Sequence, residues 1–313
     1  SKLALLKPLG GSSSADDDRR YLKIAVIQMR SEVDKATNLR RCGELLERAA
    51  ATGARVVVLP EVWNSEYAVG AFRGNAERVR LTGEGVDDDD DESSSPSIAL
   101  LRAFARKNGV WVVGGSIPEL GDDGGVYNTA PVVDPAGRVV ARHRKVHLFD
   151  IDVPGKIRFF ESETLSPGTD ATIVAMPEFG AASSTTPRAC LGVAICYDMR
   201  FAELAVSMRG RGATILVYPG AFNTVTGPPH YQLLARARAL DAQAFVVAAS
   251  PARNPAASYQ AYGNSIIVDP WGTPVAVADG HGEELLVADL DLHRIDEVRA
   301  SMRLYDQRRT DVY

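Results

Sequence analysis

The feature that most constrains the fold is a strand–helix–strand unit in the first part of the chain. Residues 22–29 form an apolar run of strand length, residues 35–51 repeat apolar side chains at helical spacing, and residues 55–59 are mostly valine. Gly53 separates the predicted helix from the second predicted strand, in the position of a helix-ending glycine. Because each segment has an apolar face to bury, the unit predicts a helix packed on a sheet and an α/β fold class.

The rest of the chain continues this alternation of strands and helices. Residues 134–137 have the composition of a tight turn, and the flanking strands predicted at 126–133 and 138–141 indicate a β-hairpin. The other predicted elements are helices at 97–108, 201–209 and 229–243 and strands at 110–114, 214–219, 245–250, 265–268 and 284–290. The helix predicted at 229–243 has an apolar face formed by Leu233, Leu234, Ala237, Leu240 and Ala244.

Three reactive side chains lie where predicted strands end. Cys196 follows an apolar run, Glu61 follows the valine-rich strand that Pro60 stops, and Lys145 comes after the predicted hairpin. Taken singly, they have ordinary explanations as a core thiol, a loop carboxylate and a surface cation. Taken together, they provide a base for the thiol and a cation for an oxyanion. The set therefore predicts nucleophilic attack by Cys196 on an amide or nitrile carbon.

The segments that carry these residues are similar to the three signature segments of the nitrilase superfamily of carbon–nitrogen hydrolases. They span residues 59–61, 144–148 and 195–201, in the family's chain order, and the resemblance covers about residues 22–313. It implies an α/β fold built as a four-layer α-β-β-α sandwich with two mixed β-sheets. It also implies a catalytic Glu61-Lys145-Cys196 triad that needs no metal and no cofactor.

Finer features resemble the ω-amidase branch, whose members hydrolyse the terminal amide of α-ketoglutaramate and α-ketosuccinamate to the dicarboxylate and ammonia through a cysteine thioester. The similar segments are 147–157, 160–168, 218–223 and 249–253. One alternative is an amidase of deaminated glutathione or another small-amide or carbamoyl hydrolase of the superfamily. The branch that acts on deaminated glutathione typically has a glycine- and methionine-containing stretch where this chain has residues 156–159. A catalytically silent scaffold protein is the alternative of a different class, and the intact triad argues against it.

The resemblance also implies supporting residues around the triad. Glu161 occupies the place of a second glutamate that positions the lysine and the substrate amide, and the backbone N–H of Tyr197 shares the oxyanion with Lys145. Arg200 is predicted to bind the carboxylate of a small anionic amide, because a guanidinium binds carboxylates through two hydrogen bonds. The alternative for Arg200 is an ordinary ion pair with Glu203.

Further residues are predicted to line or close the substrate pocket. By resemblance, Phe222 and Thr226 line it, and Tyr67 and Tyr127 close it. Aromatic side chains of this kind serve equally well as core residues. His147 is predicted to be a structural hydrogen-bonding residue, since the triad needs no histidine.

Composition limits the classes of partner. The formal net charge is -5 and the isoelectric point is about 5.6, which argues against nucleic acid and anionic membranes as partners. The three cysteines have no framework spacing, which favours a reducing compartment without disulfides. No apolar run of about 20 residues is present in the sequence to span a bilayer. Cytoplasmic localisation is therefore predicted, with mitochondrion and plastid left open because the first residues resemble a trimmed targeting segment.

Three regions divide the chain in this interpretation. Residues 1–20 are predicted to be a flexible tail, 21–292 the carbon–nitrogen hydrolase domain, and 293–313 a C-terminal arm. By resemblance, the arm packs at the interface of a homodimer or a higher homo-oligomer, and its scattered apolar residues favour such a partner. The acidic run at 87–92 is predicted to be an exposed loop inserted into the domain.

Overall fold

The computed structural model describes residues 20–84, 94–155, 157–179 and 189–312. Nearly all of the predicted tail at 1–20, and the whole acidic run at 87–92, lie outside the described residues. The α-helices are α1 (Lys35–Ala50), α2 (Val69–Asn75), α3 (Pro96–Asn108), α4 (Ala202–Gly210), α5 (Gly227–Ala242) and α6 (His293–Ser301). The strands are β1 (Tyr21–Gln28), β2 (Val56–Val58), β3 (Trp111–Val113), β4 (Ile117–Leu120), β5 (Val126–Val133), β6 (Val139–Arg144), β7 (Asp150–Val153), β8 (Ile157–Phe160), β9 (Thr172–Ala175), β10 (Cys190–Val193), β11 (Ile215–Pro219), β12 (Phe245–Ala249), β13 (Ile266–Val268), β14 (Pro274–Val277) and β15 (Glu284–Asp291).

The strands form two large mixed sheets and one small hairpin. In the first sheet the order is β15-β1-β2-β3-β5-β4, with β6 paired to β5. Strands β1, β2 and β3 run parallel, and the other pairs are antiparallel. In the second sheet the order is β14-β13-β12-β11-β10-β9, with a parallel centre of β10, β11 and β12. Strands β7 and β8 pair only with each other among the described strands.

Alternation along β1 shows how the layers stack. Ile24 and Val26 belong to the core cluster that contains both sheets, while Ala25 and Ile27 pack with α1 and α3 on the opposite face. Because successive strand side chains point to opposite faces, both faces of the first sheet are buried. Helices α4 and α5 cover the outer face of the second sheet. The four-layer α-β-β-α sandwich predicted from the sequence is therefore confirmed.

The predicted hairpin and the predicted strand–helix–strand unit are both present, but the face assigned to α5 was wrong. The core side of α5 is formed by small residues together with Tyr231 and Arg238, whereas Leu233 is 64% exposed and Leu240 is 44% exposed. Small alanine side chains let the helix backbone approach the sheet closely, and Arg238 donates a hydrogen bond to the Met199 carbonyl oxygen at 3.0 Å. Hydrophobicity alone does not identify such a face.

The C-terminal segment lies partly on the body of its own chain. After α6, the Met302 carbonyl oxygen accepts a hydrogen bond from Gln243 Nε2 at 2.6 Å, and the Arg209 guanidinium lies 4.8 Å from the centre of the Tyr305 ring. Among the described helices, none has the length and hydropathy needed to cross a bilayer.

Candidate active site

Four buried residues, all predicted from the sequence, meet at the ends of strands. Glu61 lies three residues after β2, Lys145 directly follows β6, and Cys196 begins a 3-10 turn after β10. Glu161 begins another such turn after β8. Lys145 Nζ lies 3.0 Å from Glu61 Oε1 and 2.9 Å from Glu161 Oε1, and none of these three side chains is exposed to solvent. The fold thus encloses one cation between two carboxylates beside a thiol.

Glu61 is oriented by donors from several elements. Asn128 Nδ2 donates a hydrogen bond to Oε1 at 2.8 Å, and the Ala221 backbone N–H donates to Oε2 at 2.5 Å. The Cys196 thiol is also within hydrogen-bonding reach of this carboxylate. A carboxylate that both accepts from fixed donors and contacts the thiol is placed to receive the thiol proton.

Glu161 is fixed in the same way on the other side of the lysine. Its Oε1 accepts a hydrogen bond from the Tyr67 hydroxyl at 2.6 Å, and its Oε2 accepts from the Phe149 backbone N–H at 2.6 Å. The Tyr67 hydroxyl also lies 3.5 Å from Glu61 Oε1. Tyr67 is therefore brought to the site, where it links the two carboxylates.

The charges of the site set its resting protonation. Burial by itself lowers the pKa of the Lys145 ammonium, but Glu161 and Glu61 outweigh burial and hold that pKa well above its ordinary value. Burial raises the pKa of the Cys196 thiol well above its ordinary value, and the Glu61 charge adds to this shift. Burial also raises the pKa of Glu161, against the attraction of Lys145. The resting site therefore has a charged lysine and a neutral thiol, so a base would be needed before this thiol could act as a nucleophile.

The backbone at Cys196 has an uncommon conformation that exposes its side chain to the site. Its φ of 47° lies in the left-handed region, which a non-glycine residue adopts only when its surroundings impose it. Gly220 lies directly against it, since a Cβ at Gly220 would be 3.2 Å from the Cys196 Cα. This spacing leaves almost no room for a side chain at Gly220.

Asp198 holds the turn that contains the cysteine. Its buried carboxylate accepts hydrogen bonds from the backbone N–H of Ile195 and of His147, both at 2.9 Å. The rings of His143 and His147 lie 3.1 and 2.8 Å from its two oxygens. Burial alone raises the pKa of Asp198, but the hydrogen bonds from the two histidines bring it well below its ordinary value. His147 thus makes a structural hydrogen bond, as predicted, whereas no role was predicted for His143.

Arg200 lies in a hydrophobic environment four residues after Cys196. Its guanidinium carbon is 4.8 Å from the centre of the Phe222 ring and 5.5 Å from that of Tyr197. One terminal nitrogen lies 3.2 Å from His230 Nδ1, and the buried Nε has no hydrogen-bond partner among the described residues. The contact is with His230 rather than with Glu203. Phe222 packs against Arg200, and its role in lining a substrate pocket stays a prediction.

Of the predicted pocket residues, Tyr127 is not brought together with the triad, and Thr226 stays a prediction. The Tyr127 hydroxyl donates to Asp123 at 2.6 Å, and its ring lies 3.8 Å from the Arg144 guanidinium carbon, beside a separate cavity of about 210 Å³. Asn128 points to Glu61, and neighbouring strand residues face opposite sides, so Tyr127 faces away. Thr226 bonds Asn223 Oδ1 through its N–H at 2.8 Å and its hydroxyl at 3.2 Å. Thr226 is thereby placed in the turn that begins α5.

Three residues at the site were missed by the sequence analysis. Asn128 lies within a strand and Tyr231 within a helix, and no motif marks either one. The Tyr259 hydroxyl donates to the Ala221 carbonyl oxygen at 2.6 Å, and its ring centre is 4.6 Å from that of Tyr67. Only the three-dimensional fold brings these side chains to the triad. Across the described residues, no three His, Cys, Asp or Glu side chains are grouped as metal ligands would be.

Comparisons with known proteins agree with this geometry. The model of the carbon-nitrogen hydrolase family matches residues 23–300. The chain is 47% identical over 292 residues to Omega-amidase NIT2 of Danio rerio, covering 93% of this chain and 96% of that protein. It is 44% identical to Omega-amidase NIT2 of Mus musculus, with the same coverage of both chains. The crystal structure of Saccharomyces cerevisiae Nit3, a member of branch 10 of the nitrilase superfamily, is 40% identical with a TM-score of 0.79, covering 96% of this chain and 100% of that chain.

The chain therefore belongs to the carbon–nitrogen hydrolase family. It is an enzyme of the amidohydrolase class, with the α/β sandwich of the nitrilase superfamily. The family resemblance predicted from the three signature segments is confirmed.

Proposed function

We propose that this protein is an ω-amidase that hydrolyses the terminal amide of α-ketoglutaramate and α-ketosuccinamate to the dicarboxylate and ammonia. The observation that carries the proposal is the buried Glu61-Lys145-Cys196 cluster with the Arg200 guanidinium nearby on the Phe222 ring. Relatives that are named omega-amidases, at 44–47% identity over nearly their full length, support the same activity.

The reaction begins with transfer of the thiol proton to Glu61. The Cys196 sulfur then attacks the amide carbon, and the carbonyl oxygen becomes an oxyanion that Lys145 Nζ and the Tyr197 backbone N–H stabilise. Protonated Glu61 returns its proton to the amide nitrogen, the carbon–nitrogen bond breaks, and ammonia leaves. The acid part of the substrate remains bound to Cys196 as a thioester.

Water completes the cycle through the same carboxylate. Glu61 takes a proton from water as the water oxygen attacks the thioester carbon, and the second oxyanion forms at the same position. When the carbon–sulfur bond breaks, the thiolate regains its proton from Glu61 and the dicarboxylate product leaves. Glu161 acts by positioning the lysine, because its Oε1 lies 2.9 Å from Lys145 Nζ. None of these steps requires a redox change.

The same site suits a substrate that has a negative charge at the end opposite its amide. The net charge of -5 does not attract an anion, so a local cation must bind the carboxylate. Arg200 supplies this charge on an apolar surface, where a hydrogen bond to a carboxylate contributes about 1.5–3 kcal/mol.

The test is ammonia release from α-ketoglutaramate, measured beside deaminated glutathione, with Cys196→Ala as the inactive control. We expect release from α-ketoglutaramate that is lost in the variant. Ammonia release from deaminated glutathione alone would contradict the proposed substrate, but it would still support Cys196 as the nucleophile. If a protein shown to be folded releases no ammonia from either substrate, a scaffold role would be favoured instead.

A further inference from the structure

Tyr231 is a fully buried tyrosine whose hydroxyl has no hydrogen-bond partner among the described residues. It lies in the second turn of α5, and its ring centre is 5.0 Å from that of Phe222. A buried hydroxyl without a partner costs about 1–3 kcal/mol, so its retention needs an explanation. A ligand that supplies the missing acceptor is one such explanation.

The surroundings of Tyr231 indicate which ligand that would be. Burial raises the pKa of the phenol well above its ordinary value, and the charges of Cys196 and Glu61 add to the shift, so this hydroxyl is a neutral donor. On the same Phe222 ring lies the Arg200 guanidinium, whose buried Nε also has no hydrogen-bond partner within the described part of the chain. Two donors that none of the described residues satisfies therefore flank one aromatic ring beside the nucleophile.

We propose that the Tyr231 hydroxyl is a specificity-determining donor, which together with Arg200 binds the carboxylate at the acid end of the substrate. This inference rests on the proposed function. It adds a hydrogen bond from a neutral donor to the contact predicted between Arg200 and the substrate carboxylate. A carboxylate has two oxygens, so one is free for the phenol when the other faces the guanidinium. Tyr231 is not needed for bond breaking itself, since Glu61, Lys145 and Cys196 provide the groups for that step.

The experiment compares Tyr231→Phe with the wild-type enzyme on three amides that have the same five-carbon chain. α-Ketoglutaramate has both the carboxylate and the 2-oxo group, glutaramate has only the carboxylate, and pentanamide has neither. We expect Tyr231→Phe to raise KM for both acid amides about 10-fold or more, with kcat within about threefold, since hydrogen bonds to charged groups have this strength. For pentanamide, kcat/KM should change by less than about twofold.

Tyr218→Phe is the matched control. Tyr218 is also a fully buried tyrosine, and its hydroxyl has no partner among the residues that the structure describes. The charges that affect it are those of Arg238, Asp198 and Asp241. Its removal should leave the KM values for all three amides unchanged. Both variants should melt at or above the wild-type temperature, because each loses a buried hydroxyl that makes no hydrogen bond to the described residues.

The other outcomes each overturn the proposal in a distinct way. An equal loss on all three amides would show a structural or catalytic role, and a loss on α-ketoglutaramate alone would place the contact at the 2-oxo group. If the wild type prefers acid amides and Tyr231→Phe keeps that preference, only the role of Tyr231 is wrong. If the wild type shows no preference for acid amides over pentanamide, the proposed function fails together with this inference.

Discussion

Replacement of Asp198 by asparagine tests how the fold holds the nucleophile. The carboxylate accepts two backbone hydrogen bonds at 2.9 Å and contacts two histidine rings at 2.8 and 3.1 Å, with no exposure of its side chain. In Asp198→Asn, one oxygen becomes an NH₂ group, which faces a backbone N–H in either orientation. Loss of a buried charged acceptor in this way should cost about 2–4 kcal/mol of unfolding free energy.

The pH dependence of that cost follows from the lowered pKa of Asp198. A carboxyl whose pKa falls on folding stabilises the native state above its unfolded pKa of about 3.9, and this contribution is lost as the pH falls towards the folded value. The difference between wild type and Asp198→Asn should therefore shrink as the pH falls below about 4. Activity should fall as well, because the turn that contains Cys196 loses its anchor.

Denaturant unfolding monitored by fluorescence and circular dichroism measures this difference at each pH. The control is Asp289→Asn, since Asp289 is 57% exposed and lies 3.9 Å from Lys23, where an ion pair contributes little. We expect the control to remain within about 0.5 kcal/mol of the wild type. A similarly small change in Asp198→Asn would refute the reasoning that this carboxylate anchors the turn.

Three further predictions concern the active site. Gly220→Ala should lower kcat at least about 10-fold and stability by about 1–3 kcal/mol, measured by ammonia release and denaturant unfolding, because the new Cβ would be 3.2 Å from the Cys196 Cα. Lys145→Met should reduce kcat for α-ketoglutaramate by about 10²-fold or more in the same assay. Arg200→Ala should raise KM for α-ketoglutaramate about 10- to 100-fold but leave pentanamide unaffected, and an unchanged KM would remove the main support for carboxylate binding.

The sequence predicted the parts of the site that short motifs mark. Glu61, Lys145 and Cys196 follow strands whose apolar runs end abruptly, and Glu161 was predicted because it occupies the place of the family's second glutamate. The structure brings all four together. Their catalytic roles stay predictions until activity is measured.

The wrong predictions concern side chains whose direction does not follow from the pattern of apolar residues. Tyr127 and Asn128 are neighbours on a fully buried strand, so apolar alternation could not show which of them faces the triad. On α5, the leucines were predicted to form the face that packs on the sheet. In the structure, alanines and Tyr231 form that face. Tyr259 reaches the site from a loop, which has no periodicity to analyse.

Assembly and compartment stay predictions of the sequence. The C-terminal arm at 293–313 was expected to pack in a homodimer or a higher homo-oligomer, and sedimentation of the wild-type protein would measure this directly. A monomer at micromolar concentration would contradict the expectation. The apolar side chains that would favour such a contact include Met302 and Leu304, which are 40% and 41% exposed.

The most direct test of the central claim is mass spectrometry of the enzyme quenched in acid during turnover of α-ketoglutaramate. We predict a mass increase equal to the substrate minus ammonia, located on the peptide that contains Cys196 and absent from Cys196→Ala. Continued ammonia release by Cys196→Ala, with no adduct on the wild-type cysteine, would contradict the account.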